Sequence, residues 1–205
     1  MKANATYISY RDTHSFSNLV IDYVDENEHL NKFISEFPSI EAIGRQLERK
    51  KLQALDRVSL VDVLNRQYHG LELTSEVRQH IDALQSEHTF TICTAHQPNV
   101  FTGYLYFIYK IIHAINLAKE CKTHYPEYHF IPVYYMGSED NDIDEIGTFH
   151  YNETTYTWKT DQKGACGRMK THELKDIVQV INRTLNKDVN DEAFLMTLLE
   201  QAYDG

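Results

Sequence analysis

The stretch TFTICTAHQPNVFTGYLYFIYK, residues 89–110, decides the fold. Its first six residues are mostly β-branched or apolar, which is typical of a buried strand. A loop with Pro98 and Asn99 follows, and after it a long helix is predicted over about 102–121. A second apolar run over 130–136 predicts another strand. Strand, helix and strand together predict a βαβ unit with a parallel sheet, and therefore an α/β fold.

The N-terminal segment, residues 1–88, is predicted to be mostly helical. Apolar side chains recur at helical spacing over 19–37 and stop at a proline. Ser39 is placed to cap a second helix, and a third is expected after Thr74. We expect this segment to pack on the α/β core as a helical layer.

The chain after the βαβ unit is predicted to continue the same core. Residues 149–160 alternate between apolar and polar side chains, as a strand or hairpin does. Two helices are expected over 174–185 and 191–203. The predicted organisation is therefore a helical N-terminal segment followed by an α/β core over 89–205.

Composition and charge exclude some classes of protein. The chain has 205 residues, of which 42% are hydrophobic, enough to form a core. Its 20 basic and 30 acidic residues give a net charge of −10, which argues against binding the phosphate backbone of nucleic acids. The three cysteines form no C-x-x-C pair, and the N-terminus lacks the apolar run of a signal peptide. We therefore expect a cytoplasmic protein without a nucleic-acid partner.

Residues 100–118 carry one formal charge, on Lys110, and approach the length of a membrane span. Lys110, His113 and Asn116 recur every three residues on one side of the predicted helix, where a lipid-facing lysine at mid-depth costs about 3 kcal/mol. A buried helix of a soluble protein is therefore expected, with no membrane partner. The side chains predicted to face inward are Leu105, Ile108, Ile112 and Ile115.

The first polar cluster, TAHQPNVFTGYLY over 94–106, lies where the first strand ends and the long helix begins. Open α/β sheets bind ligands at such a crevice, and free N–H groups at a helix N-terminus favour an anion. His96 and Gln97 could donate to a phosphate or carboxylate, and Lys110 could reach the same anion. Alternatively, His96 caps the loop and Gly103 only permits close packing. The glycines are too few for a P-loop or a G-x-G-x-x-G motif.

The second polar cluster, GSEDNDIDEIG over 137–147, follows the second strand, so both clusters can face one crevice. Its five acids could bind an ammonium group or the hydroxyls of an amino sugar, act as a general base, or hold magnesium. An EF-hand is not expected, because its sixth position is Glu145 and its twelfth is Tyr151. The alternative is a solvated acidic loop with Ser138 as a helix cap.

Weaker signals come from the remaining basic residues, cysteines and histidines. KGACGRMK over 163–170 places Arg168 beside two glycines, where it could contact an anion, although an ordinary β-turn has the same pattern. Cys166 in this turn is expected to be a passive thiol, and Cys93 a core residue. The histidines show no ligand spacing, so no structural zinc site is predicted and no residue is assigned as a metal ligand.

Three of these motifs, taken in order, resemble the BshC family of bacillithiol cysteine ligases. TAHQ (94–97), FTGYLYFIYK (101–110) and PVYYMGSEDNDIDEI (132–146) are similar to the family patterns TG[QH]Q, FTGPLYxIxK and PV[FY]W[IM][AG][ST]EDHDFDEI. Gly167 and Arg168 also fit. The sequence departs from those patterns at Ala95, Tyr104, Tyr135 and Asn141.

The resemblance implies a partial Rossmann-like parallel sheet and a ligase that adds L-cysteine to glucosaminyl-malate, forming bacillithiol. Because amide formation from a free carboxylate is uphill in water, ATP with Mg²⁺ is the expected activator. The residues expected to be catalytic are His96, Gln97, Asp140 and Asp142. Those expected to bind substrate are Asn99, Thr102, Gly103, Tyr106, Lys110, Glu139, Asp144 and Arg168.

This chain is shorter than the members of the family that it resembles. Family members are longer, with further core strands and a helical coiled coil that supports a homodimer, so residues 89–205 correspond to the first part of their ligase core. The chain is therefore expected to be a fragment or a shortened relative. The alternative to a ligase is a non-catalytic fragment or subunit that binds a nucleotide or a sugar.

Overall fold

The computed structural model describes residues 5–151, 153–185 and 189–203. The chain divides into two units, each with its own internal packing. The first unit contains Met1–His88 and Thr123–Glu127, and the second contains Thr89–Lys122 and Tyr128–Gly205.

The described part of the first unit contains four α-helices, and a polar side chain caps each of them. They are α1 (Asn18–Val24), α2 (Ile40–Lys51), α3 (Arg57–Gln67) and α4 (Ser75–Ala83). The predicted caps are confirmed, since Ser39 accepts from the N–H of Ala42 and Thr74 accepts from that of Val77. The side chains buried in this unit include Ile21, Ala42, Leu47, Val61, Ile81 and Leu84.

The continuous helix predicted over 19–37 is wrong. Helix α1 ends at Val24, and a single 3₁₀ turn, Glu28–Leu30, follows it. Glu26 has a φ of 53°, a left-handed conformation that no α-helix can accommodate. The backbone therefore breaks where the apolar spacing alone predicted continuity.

The second unit begins with the predicted βαβ arrangement. It consists of β1 (Thr89–His96), α5 (Leu105–His124) and β2 (His129–Met136). The two strands pair in parallel, with Thr89 opposite His129 and His96 opposite Met136. Their carboxyl ends therefore lie side by side, which places both polar clusters at one edge of the sheet.

The rest of the second unit contains a hairpin and three helices. After β2 come α6 (Ile143–Ile146), the antiparallel pair β3 (Thr148–Tyr151) and β4 (Thr154–Thr157), α7 (Lys175–Thr184) and α8 (Asn190–Tyr203). The predicted hairpin and the last two helices are thus confirmed. A buried cluster joins these elements to the loop after β1, and its members are Val100, Phe149, Trp158, Leu174, Val178, Ile181, Leu185 and Leu199.

Several side chains predicted to lie in the core are exposed. Leu105, Ile108 and Ile112 of α5 are exposed, and the buried positions of this helix are Ala114, Ala118 and Cys121. Small residues spaced by four and three positions form one face, which allows the closest approach of neighbouring backbone. Cys93 is also exposed, because burial alternates along β1. No described helix is both long and apolar enough to cross a membrane.

Candidate active site

The ends of β1 and β2 are tied together at His96. The backbone carbonyl of His96 accepts from the N–H of Gly137, at 2.9 Å, and from the hydroxyl of Tyr134, at 3.0 Å. These bonds hold the loop after β1 beside the acidic loop after β2. The site is therefore built at the carboxyl edge of a parallel sheet, where α/β folds bind their ligands.

A chain of three side chains crosses this edge. The Nε2 atom of His96 lies 2.6 Å from the hydroxyl of Tyr106, and that hydroxyl donates to Oε1 of Glu145 at 2.8 Å. His96 comes from the end of β1, Tyr106 from the first turn of α5, and Glu145 from α6. The imidazole side chain is only 6% exposed, whereas the carboxylate is 40% exposed. One end of the chain is therefore buried and the other is open to solvent.

Nδ1 of His96 has two neighbours in the loop after β1. It lies 3.0 Å from Nδ2 of Asn99 and 3.1 Å from the backbone carbonyl oxygen of Gln97, and Asn99 Nδ2 lies 3.2 Å from the same carbonyl. An N–H at Nδ1 would donate to the carbonyl, whereas an unprotonated Nδ1 would accept from Asn99. Both contacts hold the imidazole against its own loop.

Tyr106 is held as a neutral hydroxyl. Burial, together with the hydrogen bond and negative charge of Glu145, raises the pKa of Tyr106 from its ordinary value of 10.0 to about 12. At neutral pH the hydroxyl therefore keeps its proton, and it can relay or orient a proton between its two neighbours rather than act as a free base.

Gln97 connects the carboxylate to a buried thiol. The buried Gln97 donates through Nε2 to Oε2 of Glu145 at 3.0 Å, and its Oε1 lies 4.0 Å from Sγ of Cys166. Burial, followed by the charges of Asp140 and Asp142, raises the pKa of Cys166. The thiol therefore stays protonated and donates weakly, as expected for a passive cysteine.

Hydrogen bonds from side chains and backbone hold the acidic loop in its conformation. Asp142 caps α6 by accepting from the N–H of Glu145 at 3.3 Å, whereas the alternative interpretation of this loop gave that role to Ser138. The carbonyl oxygens of Ser138 and Asp140 accept from Gly167 and Cys166, at 2.9 and 2.8 Å. Two of the five acids predicted to act on ligands therefore also shape the loop, Asp140 through its backbone and Asp142 through its side chain.

Not every predicted site residue joins this cluster. Lys110 donates to the carbonyl of Ala95 at 2.6 Å and lies over the ring of Tyr106, 5.9 Å from its centroid. Glu139 accepts from Tyr135, at 3.2 Å. In the part of the chain that the structure describes, the side chains of Thr102 and Arg168 make no hydrogen bond or ion pair.

Asp144 lies at a cavity outside this cluster. It helps to line a cavity of about 380 Å³ together with Trp158, Lys159 and Glu173. Asp144 is therefore placed away from the His96–Tyr106–Glu145 chain, although it precedes Glu145 directly in sequence.

Glu145 is the residue that the sequence reasoning missed. It accepts from both Tyr106 and Gln97, yet it was counted only as one of five acids. Its signal was present, because an aspartate followed three residues later by a glutamate is typical of a capped helix start. That pattern places Glu145 on a helical turn rather than on a solvated acidic loop.

The N-terminus of α5 completes the site. Within the described residues, the backbone N–H groups of Tyr104, Leu105 and Tyr106 have no acceptor. Such groups, with the helix dipole behind them, favour a phosphate or carboxylate. In residues 5–151, 153–185 and 189–203, no group of three or more His, Cys, Asp or Glu side chains is placed to hold a metal ion.

Parallel strands, a connecting helix and polar loops at the carboxyl edge define a Rossmann-like α/β protein. The family model described as "Bacillithiol biosynthesis BshC, N-terminal Rossmann-like domain" matches residues 2–205. The chain belongs to the BshC family, as its motifs indicated.

Relatives of known sequence agree with this assignment. The chain is 41% identical over 199 residues to a protein of Flavobacterium psychrophilum and 41% identical over 203 residues to one of Christiangramia forsetii. It is 38% identical over 198 residues to a protein of Flavobacterium johnsoniae. All three are named "Putative cysteine ligase BshC". Each match covers 96% of this chain but only 37% of the relative.

Proposed function

We propose that this chain forms the ligand-binding crevice of a ligase that joins L-cysteine to glucosaminyl-malate and so produces bacillithiol. The names of the relatives support a cysteine ligase, and the description of the family supports bacillithiol biosynthesis. We further propose that the bond formed is an amide and that the acceptor is an amino sugar. These two details rest on the chemistry that the site can perform.

Amide formation requires one bond to form and one to break. The amine nitrogen of the sugar attacks the carboxyl carbon of cysteine, the bond to an activated carboxyl oxygen breaks, and the nitrogen loses a proton. The His96–Tyr106–Glu145 chain suits the last of these events. Glu145 is a partly exposed proton acceptor, and Tyr106 and Gln97 hold its carboxylate in place by donating to its two oxygens. The carboxylate can therefore take the proton that the amine loses.

Carboxyl activation calls for a nucleoside triphosphate, which, when bound, supplies the driving force that a free carboxylate lacks. Three backbone N–H groups at the start of α5 suit its phosphates. Magnesium bound with phosphate oxygens needs only one or two carboxylates from the protein. The exposed Asp140 and Glu139 are of that type. We propose ATP with Mg²⁺ on this basis.

The observation that carries the proposal is the hydrogen-bonded sequence from His96 to Glu145 at the edge of the sheet. Its test is product formation by the complete enzyme supplied with cysteine, glucosaminyl-malate and ATP. Tyr106→Phe removes the central hydroxyl and keeps the ring, so turnover should fall at least about 10²-fold. Tyr109→Phe is the matched control, because Tyr109 is exposed on the same helix and its hydroxyl makes no hydrogen bond within the described residues.

The outcomes separate a ligase from a binding module. Loss of turnover in the Tyr106 variant alone supports the proposal, and equal turnover in both variants contradicts it. If the complete enzyme is stabilised against heat by ATP but forms no product, the non-catalytic alternative replaces the ligase.

A further inference from the structure

Three successive residues of the loop after β1 adopt positive φ angles. The values are 54° for Phe101, 68° for Thr102 and 60° for Gly103. Glycine tolerates this region, but a β-branched threonine is a genuine outlier there. A strained segment of this kind persists only where its surroundings hold it. The strain also lies next to the first turn of α5, which contributes Tyr106 to the candidate active site.

Phe101 is held from the far end of the chain. Its backbone N–H donates to the hydroxyl of Tyr203 at 3.0 Å, across 102 positions of sequence. Its ring is stacked on Phe149, at a centroid distance of 4.7 Å, and lies parallel to Tyr203 at 6.1 Å. Tyr203 is the last residue of α8 and packs against the buried cluster that contains Val100 and Leu199. Both the amide and the ring of Phe101 are therefore fixed by packing outside the loop.

The same loop controls the environment of His96. Asn99, two residues before Phe101, is the donor that faces Nδ1 of His96. A Cβ atom on Gly103 would lie 2.8 Å from Oδ1 of Asn99, so the two ends of the loop are in close contact. Movement of Phe101 would therefore alter the position of Asn99, and with it the contact that Asn99 makes with the imidazole.

We propose that Tyr203 is a positioning residue of the active site, which holds the left-handed loop and thereby fixes the contact between Asn99 and the imidazole of His96. Its importance for catalysis rests on the proposed ligase function, whereas its effect on His96 does not. Burial raises the pKa of Tyr203, which keeps the hydroxyl neutral and consistent with its role as acceptor for Phe101.

The variant that tests this role is Tyr203→Phe, which keeps the ring but removes the acceptor. Tyr156→Phe is the matched control, because Tyr156 stacks on Phe149 at 5.1 Å while its hydroxyl makes no hydrogen bond in the described part of the chain. Both variants are made in the full polypeptide that carries these residues. Two signals are measured by NMR, namely the exchange rate of the Phe101 amide and the ¹⁵N shifts of the His96 ring.

We expect exchange of the Phe101 amide to be about tenfold faster in Tyr203→Phe than in the parent. The ¹⁵N shift of His96 Nδ1 should change, because its contact with Asn99 is disturbed, and Tyr156→Phe should change neither signal. A loss of packing alone would affect both variants alike. An unchanged His96 spectrum in Tyr203→Phe would overturn the proposal.

Steady-state kinetics shows whether a negative result concerns the role of Tyr203 or the ligase function itself. If the parent forms bacillithiol, Tyr203→Phe should lower kcat about tenfold with little change in KM for cysteine, and an unchanged kcat overturns the catalytic part. If the parent forms no product, the proposed function fails. The NMR signals then still decide whether Tyr203 positions His96.

Discussion

Tyr106 and Glu145 are joined by a 2.8 Å hydrogen bond, although 39 positions of sequence separate them. The bond links the first turn of the helix after β1 to the short helix after β2. The contact therefore adds to the bond between Gln97 and Glu145 in joining the two polar loops of the sheet edge. Since the carboxylate also raises the pKa of the hydroxyl, the coupling can be measured by titration.

Glu145→Gln should lower the pKa of Tyr106 from its present value of about 12. The substitution removes a negative charge that opposes ionisation of the hydroxyl, but burial, the largest cause of the shift, remains. The new value should therefore lie between 10.0 and about 12. NMR titration of ¹³C-labelled tyrosine measures it directly.

Glu139→Gln provides the control for this titration. Glu139 raises the pKa of Tyr135 by its charge and by a hydrogen bond, without contacting Tyr106. Its replacement should lower the pKa of Tyr135 alone. If Glu145→Gln leaves the titration of Tyr106 unchanged, the coupling of the two loops is wrong.

Gly103→Ala should destabilise the fold by about 1–3 kcal/mol. The residue has a positive φ, and an added Cβ would lie 2.8 Å from the side-chain oxygen of Asn99. Gly164→Ala separates these effects, because Gly164 also has a positive φ but no atom lies within 4 Å of its added Cβ. Urea unfolding measures both variants. Equal losses would mean that backbone strain, and not the contact with Asn99, limits position 103.

The sequence predicted the βαβ unit because its signals are local. Alternating β-branched residues, a loop with Pro98 and a long apolar helix each depend on neighbouring positions, and the parallel pairing follows from their order. The expected proximity of His96, Gln97 and Asn99 was also local, since they share one loop.

Long-range contacts were beyond the reach of the same reasoning. The bond between Phe101 and Tyr203 spans 102 positions, and neither segment has a sequence pattern that predicts contact with the other. The exposed face of α5 was missed for a related reason. Apolar spacing identifies a face that can be buried, but not whether the described elements cover it, so Leu105 was wrongly placed in the core.

The three cysteines should differ in their reaction with iodoacetamide. Cys93 is exposed, whereas Cys121 and Cys166 are buried and burial raises the pKa of each of these two thiols. Because the thiolate is the reacting form, Cys93 should be modified first in the folded protein. Peptide mapping at increasing times gives the order. Early modification of Cys166 would contradict its contact with Gln97, and unfolding in urea should make all three reactive.

Glu173 should make the folded state sensitive to acid. Hydrogen bonds from Thr160 and Trp158 lower its pKa below the ordinary value of 4.5. A carboxyl whose pKa is lower in the folded than in the unfolded state stabilises the fold fully above 4.5, and this contribution is lost as the pH falls through the folded-state pKa. Glu173→Gln abolishes the titration, so the variant should lose less stability than the parent between about pH 5 and pH 3.

Trp158 provides the signal for that experiment. It is the only tryptophan of the chain, and its Nε1 donates to Oε2 of Glu173 at 2.8 Å. Thermal unfolding followed by its fluorescence therefore reports the region in which the carboxylate acts. Glu48→Gln is the control, because Glu48 pairs with Lys51 on the surface of α2 and does not touch Trp158. If the parent and Glu173→Gln lose stability in parallel as the pH falls, Glu173 does not contribute to acid unfolding and other carboxylates account for it. Glu36, whose pKa is lowered by its hydrogen bond with Arg45, is one of these.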